Sequence, residues 1–476
     1  MIIRHRVSPL LLLACCIVGP AFVLLAAGCS PRGAEAPILP ASAASVRTQT
    51  GAPATTVVNS APAGEMRAAT PVSAPAATAD ADTTAAALPE PTPGALPQTS
   101  INLALWTVEA VSPRAEGGVG EAFLTCIRAF ESRYPNVSVS VELKNESGKG
   151  GVADYLRTAG QVAPSVLPDV VVLETTELEP AARAGALVAL DARVAPALIN
   201  DLLPGARAAG TVDGQLVGMP FEADVEHIVF NTNMMAQAPL TWTDILSAHT
   251  VYRFPAKGRN GLVNDSFLIQ YFALGGKLLD DEGAPFLDEQ ALGSALDYYR
   301  QTATAGVVPP DVLEAGSVED LWSDYAMAKT GIVHVSARRF LRDRGLLHSS
   351  RYADIPTRDG KPLTISRGRA LAITARDPAQ QAVAASLVEW ILEPGNAALW
   401  HEATASVPTR YATFQRMGTD AYWEFLQRQM EVAVPAPAFP QYDQIGRVLQ
   451  QAVVEVLSGD ATSQDAAAAA VDAISR

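Results

Sequence analysis

The run Asp169-Val170-Val171-Val172-Leu173 decides the fold. It is short, continuously apolar and rich in β-branched residues. It lacks the polar alternation of a half-buried strand, so it reads as a strand covered on both faces, the situation of a parallel sheet. Working back toward the N-terminus, Ile101-Asn102-Leu103-Ala104-Leu105-Trp106 reads as an earlier strand. Phe123, Cys126, Ile127 and Phe130 then recur at helical spacing, which puts Cys126 on a buried face as an inert thiol. Tyr134-Pro135-Asn136 breaks that helix, and Val137, Val139, Val141 and Leu143 alternate as a second strand. Val152, Tyr155, Leu156 and Ala159 mark another helix before the Asp169 run, and the helix after the run stops at Gly185. Strand, helix, strand, helix, strand is the signature of βαβ units and a parallel sheet. Ligands of such sheets sit outside the carboxyl ends of the strands. Trp106, Glu109 and Glu174 fall at those ends.

The second half repeats the alternation. Ile228-Val229-Phe230-Asn231, Gly331-Ile332-Val333-His334-Val335 and Ala370-Leu371-Ala372-Ile373 read as strands. Helices are expected from Trp242, over Phe267 to Leu274, Ala291 to Ala305 and Ala379 to Leu392, and from Tyr422 and Tyr442 onward. A chain of 476 residues exceeds one compact core, so two lobes are expected. The formal charge of −15 disfavours nucleic acid and anionic membrane surfaces as partners. The sequence holds no G-x-S-x-G elbow, no H-E-x-x-H, no phosphate-binding G-K-[ST] loop and no paired-cysteine metal motif. His227, His249, His334, His348 and His401 are scattered without ligand spacing. No metal, cofactor or catalytic residue is expected, although acids are plentiful enough for a glycosidase pair to escape notice.

The N-terminus reads as an export signal over residues 1–28. Arg4 and Arg6 precede an apolar run from Leu10 to Ala27, which closes on Ala26-Ala27-Gly28-Cys29. This end resembles a bacterial lipobox, with Leu25 one position earlier than the usual Leu, and the resemblance implies lipidation at Cys29. An uncleaved anchor is the alternative, weakened by Pro20. Either reading places the rest outside the cytoplasm, lipid-anchored to the cell membrane in the first case. Residues 29–100 are rich in Ala, Pro, Thr and Ser; the stretch from Ser30 to Ser100 contains no Phe, Trp or Tyr and is expected to be a disordered tether or a glycosylated stalk. Cys126 is then the one remaining thiol, so no internal disulfide is available.

Several segments, in order, resemble the extracellular solute-binding proteins of carbohydrate ABC importers, the maltose-binding type. They are Ala129-Phe130-Glu131-Ser132-Arg133-Tyr134-Pro135, Leu167-Pro168-Asp169, Ala184-Gly185-Ala186-Leu187, Gly218-Met219-Pro220-Phe221, Phe230-Asn231-Thr232-Asn233-Met234-Met235 and Thr241-Trp242. The resemblance covers Ile101 to the C-terminus. It implies an α/β, two-lobed periplasmic-binding-protein-like fold with hinge-crossing strands. Lobe 1 would comprise 101–224 and 366–412, and lobe 2 would comprise 225–365 and 413–476, with crossings at Asp224 to Val229 and near Ser366 to Ala370. It also implies a small solute, a sugar above all, held between the lobes, with ABC permease subunits as partners and a monomeric receptor. Its carried-over ligand contacts are Trp106, Glu109, Glu174, Asp224, Asn264, Phe267, Arg338, Arg367 and Tyr442. Arg338 stands where the family often has a stacking Trp, and with Arg339 and Arg367 it points toward an anionic sugar. Other readings stay open. Trp106 fits a strand core, Glu174 an acid at a helix start, Asp224 and Glu222 surface acids in a loop, and Arg338 a solvated basic helix face. Tyr442 fits a packing staple, and Trp322 and Trp400 fit helix cores. A secreted polysaccharide hydrolase and a ligand sensor are the competing functions.

Overall fold

The computed structural model describes residues 99–146, 148–162 and 166–476. The expected signal, Cys29 and nearly all of the expected tether lie outside the described residues. No helix among the described residues is long and apolar enough to cross a membrane.

Strand β1 (Ile101–Val108) pairs in parallel with β2 (Val137–Lys144) and β3 (Val170–Glu174), as the apolar Val170 run requires. A hairpin of β4 (Thr211–Val212) and β5 (Gln215–Leu216) follows. Asp213 and Gly214 form its turn, both at positive φ, as a two-residue hairpin loop demands. The remaining strands are β6 (Met219–Asn231), β7 (Tyr252–Arg253), β8 (Ile332–Ser336), β9 (Ser350–Ala353), β10 (Thr364–Ile373) and β11 (Ala433–Pro435). They form one 9-stranded sheet in the order β2-β1-β3-β10-β6-β8-β7, with β11 on β10 and β9 on β6.

Two long strands unite this sheet. β6 runs 13 residues and β10 runs 10. The last residues of β10 pair antiparallel with β3, and its middle pairs with the start of β6. The second half of β6 pairs with β8 and β9. Each strand therefore begins in one α/β body and ends in the other. One core gathers Leu103, Leu105, Val170, Leu173, Met219 and Leu371. A second gathers Ile228, Phe230, Ile332, Leu292 and Leu449 under the helices Glu289–Thr304, Tyr442–Ser458 and Ser463–Ser475. A third lies behind the crossing. It joins Leu203, Val225, Val335 and Val407 to Trp322, Tyr422 and Phe425, drawing on both sides of the expected lobe divisions. The architecture is α/β and two-lobed.

Side chains of a strand alternate between faces. On β6, Ala223, Val225 and His227 enter the third core, where His227 meets Phe340, Tyr422 and Phe425. Glu222, Asp224 and Glu226 take the opposite face. On β10, Arg367 and Arg369 lie across from Asp224 and Glu222 on that same face. Gly368, between the two arginines, permits this approach. A Cβ there would sit 2.1 Å from the Glu222 carbonyl oxygen, so backbone would have to move. Immediately after Arg369 a register shift ends the polar strip, and the apolar run Ala370 to Ile373 enters the first core.

Gly368→Ala is therefore expected to lower the unfolding free energy by about 1–3 kcal/mol, the usual cost of overpacking. Urea denaturation against the parent chain checks it; an unchanged midpoint would mean the crossing is looser than described.

Candidate ligand-binding cleft

The crossing strands lay a charged strip between the two bodies. Glu222, only 1% exposed, is its centre. Arg369 Nη1 donates to Glu222 Oε1 at 2.6 Å, and its second terminal nitrogen donates to Glu146. Trp400 Nε1 donates to Glu222 Oε2 at 3.0 Å, and Arg338 Nη2 lies 3.5 Å from Oε1. Burial would raise this carboxyl, but Arg338, Arg369 and Trp400 outweigh it and hold Glu222 ionised below the usual carboxylate range. Asp224 Oδ1 accepts from the backbone nitrogens of Arg338 at 3.1 Å and Val225 at 3.0 Å. There burial wins and the carboxyl is raised, with Arg338 opposing.

Further along β10, Arg367 forms a two-pronged pair with Asp265, Nε to Oδ2 at 2.5 Å and Nη2 to Oδ1 at 2.7 Å. Asp265 opens the helix Asp265–Ala273, whose cap residue Asn264 makes no capping bond with its side chain. Asn264 Nδ2 is buried without a hydrogen-bond partner among the described residues. Tyr442 sits beside this pair; burial and then Asp265 push its phenol upward, with Arg367 opposing. Behind the pair, His334 Nδ1 lies 3.3 Å from Glu226 Oε2, and Tyr252 Oη lies 2.5 Å from His334 Nε2. Burial and then Asp265 push Glu226 up to about 8, and burial pulls His334 down to about 3. Both are thus uncharged near neutral pH.

The structure brings Glu174, Asp224, Asn264, Arg338, Arg367 and Tyr442 around the crossing, with Glu174 opposite Arg369 in the β3–β10 ladder. Glu109 stands exposed in the single turn Glu109–Val111 after β1. Trp106 and Phe267, expected at the ligand, are buried in the cores. Trp106 is 6% exposed and belongs to the first core, closed over by the edge of Tyr155 at 5.6 Å and by Lys144 Nζ at 4.1 Å. Phe267 is 2% exposed and meets Tyr299 at 5.3 Å in the second core. Its helix is buried on nearly every face, so an i+2 neighbour of Asp265 points inward. Arg339 pairs with Glu319 and Asp343, and Arg338, Arg367 and Arg369 are likewise matched by carboxylates. Trp400 is half-buried and bonded to Glu222 rather than sealed in a helix core, whereas Trp322 is buried against Tyr325.

Arg369, Glu146 and Glu177 were not singled out from sequence, and Glu222, open to reading as a surface acid in a loop, is instead buried. The signal for two of them was present: Glu222-Ala223-Asp224-Val225-Glu226 and Arg367-Gly368-Arg369 alternate charged with small or apolar residues at strand period. Glu177 follows β3, where burial, Glu174 and Glu146 push it up to about 7. Away from the strip, a cavity of about 320 Å³ lies against the helix Val119–Arg133, lined by Phe123, Cys126, Ile127, Phe221, Leu371 and Trp400. Burial pushes the Cys126 thiol up to about 11, so it is not reactive.

Two α/β bodies joined by crossing strands, with a polar strip between them, define the class of two-lobed solute-binding proteins. Residues 125–427 match the family described as bacterial extracellular solute-binding protein, and the chain belongs to that family. Solved structures agree on the fold. The cyclic alpha-maltosyl-1,6-maltose binding protein of Arthrobacter globiformis is 19% identical, with a TM-score of 0.67 over 79% of this chain and 98% of that one. The sugar-binding protein of Xanthomonas citri is 19% identical, with a TM-score of 0.67 over 79% and 96%. A Thermotoga lettingae ABC-transporter solute-binding protein bound with alpha-D-tagatose is 22% identical, with a TM-score of 0.61 over 79% and 99%.

Two outcomes follow. Phe267→Ala should cost about 3–5 kcal/mol of stability, as a fully buried ring does; urea denaturation of the whole chain reads it, and a loss under about 1 kcal/mol, on the order of a surface change, would return Phe267 to the cleft. Glu177 binds its proton more tightly folded than unfolded, so its contribution favours folding below about pH 7 and fades as pH rises through that value. The Glu177→Gln variant should therefore gain melting temperature over the parent at pH 8 and lose that advantage at pH 5. A constant offset between the two proteins would contradict it.

Proposed function

We propose that this protein is the substrate-binding lipoprotein of an ABC import system and captures a carbohydrate between its lobes. The observation that carries this reading is the mixture of unmatched partners around the crossing. Asn264 Nδ2 and the Nε atoms of Arg338 and Arg369 are buried donors without acceptors. Glu174 and Glu177 are carboxylates without a cationic partner among the described residues. A sugar hydroxyl both donates and accepts, so one ligand class satisfies both needs. Tyr442 supplies an aromatic surface for a sugar ring at the same place. Structural relatives described as binding maltodextrin or tagatose support the same class.

In this reading, residues 101–224 with 366–412 and residues 225–365 with 413–476 are the moving bodies. β6 and β10 flex as the hinge, and closure presents a shaped surface to permease subunits. Glu109, Glu174, Asp224, Asn264, Arg338, Arg367 and Tyr442 line or support the site. Cys29 carries the lipid that holds a monomeric receptor outside the cytoplasmic membrane. The polar strip acts by binding and not by catalysis.

Isothermal titration with mono- and oligosaccharides tests this. A saccharide is expected to bind, and Asn264→Ala should weaken it roughly 3- to 10-fold, the worth of one hydrogen bond. Cys29→Ser should move the protein from the detergent phase to the aqueous phase on phase partition. A folded protein indifferent to every saccharide would sink the reading.

A further inference from the structure

We infer that the cavity against the helix Val119–Arg133 is a second binding site, separate from the cleft, for a small uncharged aromatic molecule of about two fused rings; this stands independently of the carbohydrate reading. Four neighbouring strands each give the cavity floor one apolar side chain: Leu105 from β1, Val172 from β3, Leu371 from β10 and Phe221 from β6. The helix Val119–Arg133 is the roof. The residues it turns to the space, Ala122, Cys126 and Ala129, recur at helical spacing and are all small. Leu399 and Trp400 of the helix Pro394–Thr404 form a side wall. Short side chains on the roof thus leave about 320 Å³ open above a continuous apolar floor. Protein interiors hold few voids larger than a water molecule, and a space of this size is that of a small-ligand pocket.

The walls define the occupant. A buried water needs about two to four polar partners, and the polar groups here are engaged elsewhere. Trp400 Nε1 donates to Glu222 at 3.0 Å, Asn396 Nδ2 donates to the Trp390 carbonyl at 2.8 Å, and the Cys126 carbonyl accepts from Trp390 Nε1 at 3.1 Å. No buried polar atom left without a partner among the described residues belongs to this lining. The carboxylate of Glu121 and the hydroxyl of Thr125 belong to exposed residues at the mouth, so the interior offers nothing to an ion. Leu399, 60% exposed, shares that mouth and leaves the cavity open to entry.

The aromatic character follows from the lining. Phe123, Phe221 and Trp400 bring three rings to one space, with Phe221 and Trp400 6.1 Å apart and inclined at 51°. A flat ring can set an edge or a face against each of them. Size sets the number of rings. A dry cavity of about 150 Å³ lined by Leu, Ile and Phe takes benzene, and this one has about twice that volume.

The test is calorimetric titration of the full chain with indole and with benzene, joined to a crystal of the parent chain soaked in indole. Indole should bind at one site, on the order of tenfold more tightly than benzene, which would leave half the space unfilled. The soaked crystal should show the ring between Phe123 and Trp400. An Ala122→Leu, Ala129→Leu double variant pushes two larger side chains into the space and should weaken indole by about tenfold or more while unfolding cooperatively. Undiminished binding by that folded variant, ring density beside Tyr442 in the cleft, or no calorimetric binding of indole by the parent chain overturns the inference. Density seen at crystal concentration only, without binding in solution, overturns it as well. If the double variant does not fold, the titration and soaked crystal of the parent chain decide.

Discussion

The structure turns on a carboxylate that burial alone would neutralise. Glu222 sits where β6 and β10 cross, almost sealed from solvent, and stays charged because Arg369, Arg338 and Trp400 close around it. Isolated ions in such places are costly, and a buried pair is seldom a net source of stability. Its value here is geometric. Arg369 reaches Glu146 in the loop after β2, Trp400 comes from the helix Pro394–Thr404, and Arg338 comes from the helix Ala337–Asp343. One carboxylate thus gathers elements from both bodies onto the shared strands. Removing it would leave Arg338 without its carboxylate and Arg369 with Glu146 alone, so register and charge are specified together.

That constraint shapes the cleft. The face of β6 turned toward the third core is apolar, and the other face is a ladder of charge that continues through Asp224, Arg367 and Asp265. The apolar face keeps the crossing strands from separating. The charged face presents arginines paired with carboxylates, with the Asn264 amide nitrogen and the Nε atoms of Arg338 and Arg369 left without partners among the described residues. Around Glu226 the low-dielectric interior has removed charge: a protonated carboxyl, a neutral His334 and Tyr252 form a quiet polar chain behind the Arg367–Asp265 pair.

Much of the fold was legible because the helix and strand periods are strong where both faces of an element are fixed by packing. Val170 to Leu173, Ile332 to Val335 and the helices from Ala291 and Ala379 all fall where their periodicity puts them. The length of β6 and β10 was less legible. Their outer residues alternate acid or Arg with small residues, which resembles a surface loop until the second body covers it. The same ambiguity hid Glu222 and Arg369, whose importance is a matter of long-range pairing. The burial of Trp106 and Phe267 was illegible for a different reason. Position after a strand or near a helix start locates a residue along the element, but which way its side chain turns is settled by neighbours such as Tyr155, Lys144 and Tyr299.

The most direct measurement is a crystal structure with saccharide bound. The account predicts a ring beside Tyr442, hydroxyl oxygens within hydrogen-bond reach of Asn264 Nδ2 and of Glu174, and the Arg367–Asp265 pair intact beneath them. A saccharide seated elsewhere, for example in the apolar cavity beside Phe123 and Trp400, with the crossing strip untouched, would contradict it.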